Sequence, residues 1–528
     1  MSNNSKDTFQ TNELNDKFRQ LTDEELPNTK NNNCTSIDLI INQYGYRKEV
    51  WLILISVFLC FILNGYLTTS FCSFILAYQK KFSLTNSQIS ILGTVFFITK
   101  FISSFSVGYQ THFLSRIVII RLALFSCIIS SIINALLLTY KILLLNQFIN
   151  GLSAGIFEIA SFNIACEYTP IKYRGWSMLS IWNGYNVGVL FPNLIMLVTM
   201  PLHQPEGLRI TLLICSGIFG LCGLFILAFL KDSPRNDIMN GKYLSAFDSL
   251  EKMKGGPLDE EEKDKIIKTI VNNKEENNDI RDIGTKSEVS GIKEVFEGEM
   301  RKIGIMLVII CFFGNIINDG FQLVLNLLLE KINNTSQSEE YNVLKENILI
   351  NTIGLPSNFL IGIFTELKIL GRRHTQAIGF FILSIFIFPV IFAPNNAYIY
   401  LIFFMFFTCT TNMVNVYVSE IYPTKTRDLA LGVIQAVGYF GSCISQFVFV
   451  YLNDWNFYIC PIVFMVLCFV NSVLSMCLKV DTVGRPLDGA VIETKKKENY
   501  NAIIELGVKN NSSKDENINT MKLDNEEK

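Results

Sequence analysis

Residues 167–175 read EYTPIKYRG and residues 420–427 read EIYPTKTR, so the spacing Glu-x2-Pro-x3-Arg occurs twice in this chain. Each copy directly follows an apolar stretch, and the two stretches hold the fourth and the tenth place among such stretches. The same spacing therefore recurs at corresponding places of two six-stretch units. A parallel duplication of one unit is the simplest explanation of this double coincidence.

The apolar stretches around the two motifs predict membrane-spanning helices. A hydrocarbon core of about 30 Å needs about 20 apolar residues in a helix, and these stretches are apolar on all sides. The sequence predicts an all-α polytopic membrane protein with twelve transmembrane helices in two six-helix bundles. The predicted spans are 51–77, 88–110, 116–138, 142–166, 176–200, 208–230, 303–329, 347–365, 375–393, 397–419, 429–451 and 456–478.

Charged residues concentrate outside the spans and divide the chain into five parts. These parts are a tail at 1–50 with a short amphipathic helix at 36–46, a bundle at 51–230, a central loop at 231–302, a bundle at 303–478 and a tail at 479–528. Short loops on one side hold the excess of Lys and Arg, which favours the cytoplasm for that side and for both termini. We expect a multi-pass protein of the plasma membrane or of an intracellular vesicle membrane.

Composition excludes several other classes of function. The formal net charge of −2 does not favour nucleic acid as a partner. Of the 13 cysteines, all but Cys34 lie in apolar stretches, without the pairing or spacing of metal ligands. The chain has 3 His and lacks a Gly-rich phosphate loop or an HExxH motif. We therefore predict no metal, no cofactor and no enzymatic activity.

Three further motifs lie in loops of the predicted bundles. They are Asp232-Ser-Pro-Arg235 after span six, Gly371-Arg372-Arg373 after span eight and Asp481-Thr-Val-Gly-Arg485 after span twelve. With the doubled Glu-x2-Pro-x3-Arg, these motifs resemble the sugar-porter, organic-ion and synaptic-vesicle-protein-like branches of the major facilitator superfamily. The resemblance covers about residues 36–488.

The loop after span two departs from the family pattern. That pattern is Gly-x3-Asp-Arg-x-Gly-Arg-Arg, whereas this chain has Gly108-Tyr-Gln-Thr-His112-Phe-Leu-Ser-Arg116 and so lacks the acid. The change raises an alternative to transport, which is a sensor or structural relative that no longer cycles.

The resemblance implies that two bundles rock around a central cavity and close one side through charged loop residues. An acid at a helix end, a Pro that stops the helix and an Arg one turn beyond can pair between helices. The candidate gate residues are Glu167, Pro170, Arg174, Gly175, Arg235, Arg372, Arg373, Glu420, Pro423, Arg427 and Arg485.

Two acids fall inside predicted spans, where a charge costs at least about 2.5–3.5 kcal/mol. Glu158 lies near the middle of span four, and a basic partner such as Arg121 or Lys100 would give it a purely structural role. Asp319 lies near the middle of span seven, and we hypothesise that it binds a proton or a cationic substrate group. Hydrogen bonding beside Asn315 and Asn318 is the alternative for Asp319.

Polar and aromatic residues of the spans are candidates for the lining of the cavity. They are Asn64, Asn163, Trp182, Asn183, Asn186, Asn318, Gln322, Asn412, Asn415, Gln435 and Tyr439. The sequence thus predicts a monomeric secondary active transporter, a symporter or uniporter in the lipid bilayer, for a small organic ion, vitamin or metabolite, with a proton as coupling ion. Hexose is the alternative substrate class, but the amide pattern that marks hexose carriers on span seven is not cleanly present.

Overall fold

The computed structural model describes most of the apolar part of the chain. The described residues are 41–202, 206–239, 242–259, 263, 291–298, 300–332, 339–367, 369–392, 406, 409–455, 459–478, 480, 482 and 483. Within them the regular structure is helical throughout. Arg485, the start of predicted span ten and the side chain of Gln322 lie outside these residues. So do Asn333 and Asn334, each of which begins an Asn-x-Ser/Thr triplet that can be glycosylated if the loop after predicted span seven is outside the cell.

Helices occur at the place of each predicted span. They are α1 Lys48–Ser73, α2 Asn86–Phe113, α3 Arg116–Leu136, α4 Tyr140–Tyr168, α5 Arg174–Leu202, α6 Gly207–Phe229, α7 Met300–Ile332, α8 Glu339–Glu366, α9 Gly371–Phe392, α10 Met413–Ile421, α11 Thr424–Trp455 and α12 Ile459–Cys477. A 3-10 turn, Cys409–Asn412, precedes α10. Shorter helices are Ile75–Phe82, Pro234–Met239, Tyr243–Lys254 and Ile292–Val295.

The long helices have the length and composition that a bilayer requires. In the described part of the chain, 9 helices are long and apolar enough to cross a membrane. Large apolar side chains such as Leu122, Ile129 and Leu221 are exposed on the outside of the bundle. Such a surface suits lipid, where helices satisfy their own backbone hydrogen bonds.

Close helix contacts within and between the halves depend on glycine. A Cβ added to Gly188 of α5 would lie 2.1 Å from the carbonyl oxygen of Ile62 in α1. A Cβ added to Gly432 of α11 would lie 2.6 Å from the carbonyl oxygen of Ser104 in α2. Small residues let helix backbones approach in this way. The two halves meet where α2 packs on α11 and α5 packs on α8.

Residues 41–47, the described part of the segment before α1, pack against the helical bundle. Ile41 is buried in the main apolar core, and the Asn42 side chain accepts a hydrogen bond from the Ile171 amide at 2.8 Å. The Tyr46 hydroxyl is hydrogen-bonded to Ser177. These contacts join the start of the described chain to the turn after α4 and to the first turns of α5. Residues 36–40 of the predicted amphipathic helix lie outside the described residues, and residues 41–44 are helical.

Candidate functional site

Both Glu-x2-Pro-x3-Arg copies lie at one end of the bundle, which we call the motif end. Proline ends the preceding helix in each copy, since a residue before proline disfavours the helical conformation. Thr169 follows α4 with ψ 129 and precedes Pro170, and Tyr422 follows α10 with ψ 137 and precedes Pro423. The next helix then starts close by, at Arg174 or Thr424. Each motif therefore places its acid and its arginine on two different helices.

Glu167 is the acid of the first copy, and it pairs with arginines of both halves. Its carboxylate accepts hydrogen bonds from Arg116 Nη1 at 2.9 Å and from Arg427 Nη1 at 3.0 Å. Ser233 donates a further hydrogen bond to it. Arg427 belongs to the second motif copy, so this pair joins the two halves. All three charged side chains are buried, which strengthens their interaction relative to a pair in water.

Asp428 forms a second ion pair between the halves. It lies 2.9 Å from Arg116 Nη2 through Oδ2, and Asn163 donates to its Oδ1 at 2.5 Å. Asp428 lies on α11, whereas Arg116 begins α3 and Asn163 lies on α4. The sequence reasoning missed both Asp428 and the role of Arg116. The sequence did contain a sign of this role for Asp428. An acid directly follows Arg427 in the second copy, where the first copy has Gly175.

The second half repeats the arginine–acid pair of the first half. Arg372 Nη2 lies 3.0 Å from Glu420 Oε1, and Thr482 also donates to this carboxylate. Arg372 also pairs with Glu366 at 3.3 Å. A Cβ added to Gly175 would lie 2.6 Å from the Arg372 guanidinium carbon, so the glycine makes room for this arginine. The Arg372–Glu420 pair corresponds to Arg116–Glu167 in the first half.

The other predicted gate residues have different surroundings. Arg174 and Arg235 are buried at the motif end. Arg373 donates instead to the carbonyl oxygen of Leu478. Asp237, an acid on the short helix after Arg235, accepts a hydrogen bond from Ser245 at 2.7 Å. Burial raises the pKa of the Asp237 carboxyl above its usual range.

A cavity lies between the two halves, and most of the predicted lining residues border it. The predicted residues that line it are Glu158, Trp182, Asn318, Asp319, Asn412, Asn415, Gln435 and Tyr439, and Lys100 joins them. Other candidates make contacts elsewhere. Asn186 donates to the Gly354 carbonyl at 2.8 Å, and Asn183 accepts from Asn358 at 3.3 Å, so both connect α5 to α8.

Glu158 is paired in the structure, and its partner is Lys100. Lys100 Nζ lies 3.0 Å from Glu158 Oε2, and Asn64 donates to the same oxygen at 3.1 Å. The Lys100 ammonium also lies 4.3 Å from the centre of the Tyr439 ring. The alternative partner Arg121 is exposed on α3, because the face of α3 that bears it points away from the bundle.

Asp319 enters the same cavity from the second half. Ser442 donates to its Oδ2 at 2.5 Å and Asn318 donates to its Oδ1 at 3.3 Å. The charges of Lys100 and Glu158 both act on Asp319. The described lining thus contains two carboxyls and one amine, and it carries one net negative charge when all three are ionised.

Neutral polar groups complete the cavity wall. Asn315 of α7 donates to Gln435 of α11 at 3.3 Å, and Gln435 donates to Asn415 of α10. The indole Nε1 of Trp182 is buried and lacks a hydrogen-bond partner among the described residues. A buried donor without a partner is costly in free energy unless something else satisfies it. A solute in the cavity can supply that acceptor.

Comparison with known proteins finds a family model that matches most of the chain, and relatives that are named as transporters or vesicle proteins. Residues 39–491 match the sequence model of the family described as "Sugar (and other) transporter". The synaptic vesicle 2-related protein of Xenopus laevis is 23% identical over 428 residues, which cover 77% of this chain and 74% of that protein. The human organic cation/carnitine transporter 2 is 28% identical over 130 residues, or 24% of this chain and 23% of that protein.

A solved structure shares the fold. The proton:xylose symporter XylE of the major facilitator superfamily, bound to 6-bromo-6-deoxy-D-glucose, superposes with a TM-score of 0.70. The match covers 84% of this chain and 98% of that chain at 18% identity. At this identity the likeness concerns the fold alone. It confirms the predicted fold class.

Proposed function

Since this chain belongs to the "Sugar (and other) transporter" family, and is therefore a membrane transporter of a solute without enzymatic activity, we propose that its substrate is a small organic ion. The observation that carries this proposal is the charged lining of the central cavity, with Glu158 and Asp319 facing one Lys100. Charges are costly to bury in a membrane protein and mark substrate or ion pathways there.

The proposed cycle is alternating access, and the contacts at the motif end support it. Two ion pairs, Glu167–Arg427 and Arg116–Asp428, join the halves on that side of the cavity. Opening the motif end must break both pairs, so another interaction has to stabilise the open state. Binding of the substrate or of a coupling ion supplies such a difference in free energy between states. An intact pair at Arg116 favours a cycling transporter over a sensor, although the loop after α2 lacks the family's acid.

The lining also favours an organic ion over a hexose. The human relative is named for organic cations and carnitine, and the XylE structure is named for xylose and a proton. The amides Asn315, Gln435 and Asn415 could hold sugar hydroxyls, but they already hydrogen-bond to one another. The Lys100–Glu158 ion pair, Asp319 and the unpartnered Trp182 donor line the same cavity and suit a solute with both a charge and an acceptor.

Asp319 is the proposed proton site. It is buried and accepts hydrogen bonds from two neutral donors, Ser442 and Asn318. Such a carboxyl can take up and release a proton without breaking an ion pair. We place the motif end in the cytoplasm because the basic loops lie there, with both termini on that side of a plasma or vesicle membrane.

Counterflow in liposomes tests the proposal. Purified protein is loaded with unlabelled solute, and uptake of labelled organic cations, organic anions and hexoses is followed with and without a pH gradient. We expect exchange of an organic ion that responds to the gradient. Asp319→Asn should retain exchange and lose the response, whereas Asp237→Asn, an acid outside the cavity, should behave as wild type. Binding without counterflow across the panel would instead indicate a sensor.

A further inference from the structure

We propose that the substrate is a monovalent organic cation exchanged for one proton, and that it binds between Glu158 and the Tyr439 ring, where Lys100 now lies. This inference rests on the proposed function and names its substrate class.

The charge count of the cavity requires one additional positive charge. Glu158 and Asp319 bear two negative charges when ionised, and Lys100 bears one positive charge. A net charge in a low-dielectric cavity is unfavourable. The cavity is neutral when a proton sits on Asp319, and equally neutral when a monovalent cation replaces that proton. A zwitterion or a hexose would leave the count unchanged and could not replace the proton.

The surroundings of the Lys100 ammonium form a cation site. The Glu158 carboxylate lies 3.0 Å away, the Thr68 hydroxyl lies 3.5 Å away, and the face of the Tyr439 ring lies 4.3 Å from Nζ to centroid. Carboxylate and aromatic face are the two groups that recognise ammonium ligands. Glu158 comes from the first half and Tyr439 from the second, so a cation held between them would bridge the halves.

The Asp319 carboxylate is a second possible partner for the Lys100 ammonium inside the same cavity. Lys100 and Asp319 both line the cavity wall. The long flexible side chain of lysine lets its ammonium move while the backbone stays in place. When a substrate cation takes the Glu158 and Tyr439 site, Lys100 moves to Asp319 and pairs with its carboxylate there.

This movement couples the cation to the proton. Asp319 can pair with the ammonium only as a carboxylate, so its proton leaves to the solvent as the cation binds. The titratable groups that face the cavity with Asp319 are Lys100 of α2, Glu158 of α4, Tyr185 of α5, Cys311 of α7 and Tyr439 of α11.

The unpartnered Trp182 donor is an independent sign of a ligand in this cavity. Its Nε1 is buried and lacks a partner among the described residues, and the indole ring packs on Tyr185 at 5.8 Å between centroids. A substrate with a cationic group and an acceptor oxygen would satisfy both the Glu158 site and this donor.

Proton release on binding is the decisive measurement, with tetraethylammonium as the probe. In weakly buffered solution, wild-type protein should release about one proton for each tetraethylammonium bound. Lys100→Met should bind the probe without proton release. Asp319→Asn should also bind without release but more weakly, because Lys100 then has no carboxylate to move to. Tyr439→Leu should bind it about 2- to 30-fold more weakly, the range expected for a cation–π contact, and Tyr439→Phe should restore most of the affinity because it keeps the ring.

Three outcomes would overturn the proposal. They are wild-type binding without proton release, no binding of the cation, or equal affinity of the Tyr439→Leu variant. If Lys100→Met does not fold, the two Tyr439 variants and Asp319→Asn still test the proposal. The counterflow panel separates this inference from the proposed function. Exchange of organic anions alone leaves the proposed function in place and removes the cation site, whereas exchange of no organic ion removes both.

Discussion

Replacing Asp428 by Asn should weaken the contact between the halves without removing the fold. The variant loses the charge that pairs with Arg116 at 2.9 Å. Arg116 keeps its second partner, Glu167, also at 2.9 Å. The new amide oxygen can still accept the hydrogen bond that Asn163 donates to Oδ1. The change between α3 and α11 is therefore confined to one residue pair, in which Arg116 Nε and Nη2 both contact Asp428 Oδ2 at 2.9 Å.

The size of the effect follows from the burial of this pair. The side chains of Arg116 and Asp428 are 2% and 10% exposed, so solvent screens the pair little. A hydrogen bond to a charged group contributes about 1.5–3 kcal/mol. Taking about 2 kcal/mol, and tenfold for each 1.4 kcal/mol, the population open at the motif end should rise about 30-fold.

Cys166 is a native reporter of this opening. It is buried on α4, and its sulfur faces the Ser419 carbonyl of α10 in the other half at 3.9 Å. Labelling by a maleimide should track the open population when opening is fast relative to labelling. We expect Cys166 to react about 30-fold faster in Asp428→Asn than in wild type. The Cys166→Ser variant identifies its signal among the other cysteines.

Two controls separate opening from general loosening. Asp237 also lies at the motif end, but it accepts its hydrogen bond from Ser245, which is only eight residues away in the chain. Asp237→Asn should therefore leave Cys166 labelling unchanged. Cys60 is buried inside the first half and should stay unreactive in both variants. If Cys166 labelling in Asp428→Asn equals that of wild type at equal thermal stability, the Arg116–Asp428 pair does not hold the halves together.

Three other predictions concern packing, the second half and orientation. Gly188→Ala should lower the melting temperature, because overpacking a helix contact costs about 1–3 kcal/mol of stability. Gly220→Ala is the control and should leave the melting temperature unchanged, because a Cβ at Gly220 would meet open space. Equal melting temperatures of the two variants would contradict this prediction. Glu420→Gln leaves the buried Arg372 guanidinium with Glu366 as its remaining carboxylate partner and should cost about 1.5–3 kcal/mol of stability. Glu366→Gln, at a side chain that is 19% exposed, should cost less, and the reverse order in thermal unfolding would refute the assignment. Asn333→Gln should reduce glycosylation in a cell that glycosylates the outside loop; glycan on the tails instead would reverse the proposed orientation.

The charged residues of the cavity show how far sequence reasoning reached. Glu158 and Asp319 were recognisable because an acid in the middle of an apolar span is rare and costly. The partner of Glu158 was not, since Lys100 and Arg121 both lie on neighbouring spans. The choice depends on which face each helix turns inward, and a span that is apolar on all sides carries little information about that face.

The ion pairs at the motif end likewise combine residues that the sequence predicts with partners that only the structure shows. The acids, prolines and arginines of the doubled motif were recognisable from spacing alone. Their partners were not, because Arg116 and Asp428 are 312 residues apart in the sequence. The spacing suggested pairs within or near each motif, yet Glu167 of the first copy pairs with Arg427 of the second.

The sequence by itself determined the helices and the repeat. In lipid the backbone must satisfy its own hydrogen bonds, so a long apolar stretch has a helix as its stable form, and proline marks where the helix ends. Only the tertiary structure decided which charges meet. Pairing depends on the rotation of each helix about its axis and on which helices of the two halves touch. Those two quantities arise from the packing of all the helices together, and no single span contains them.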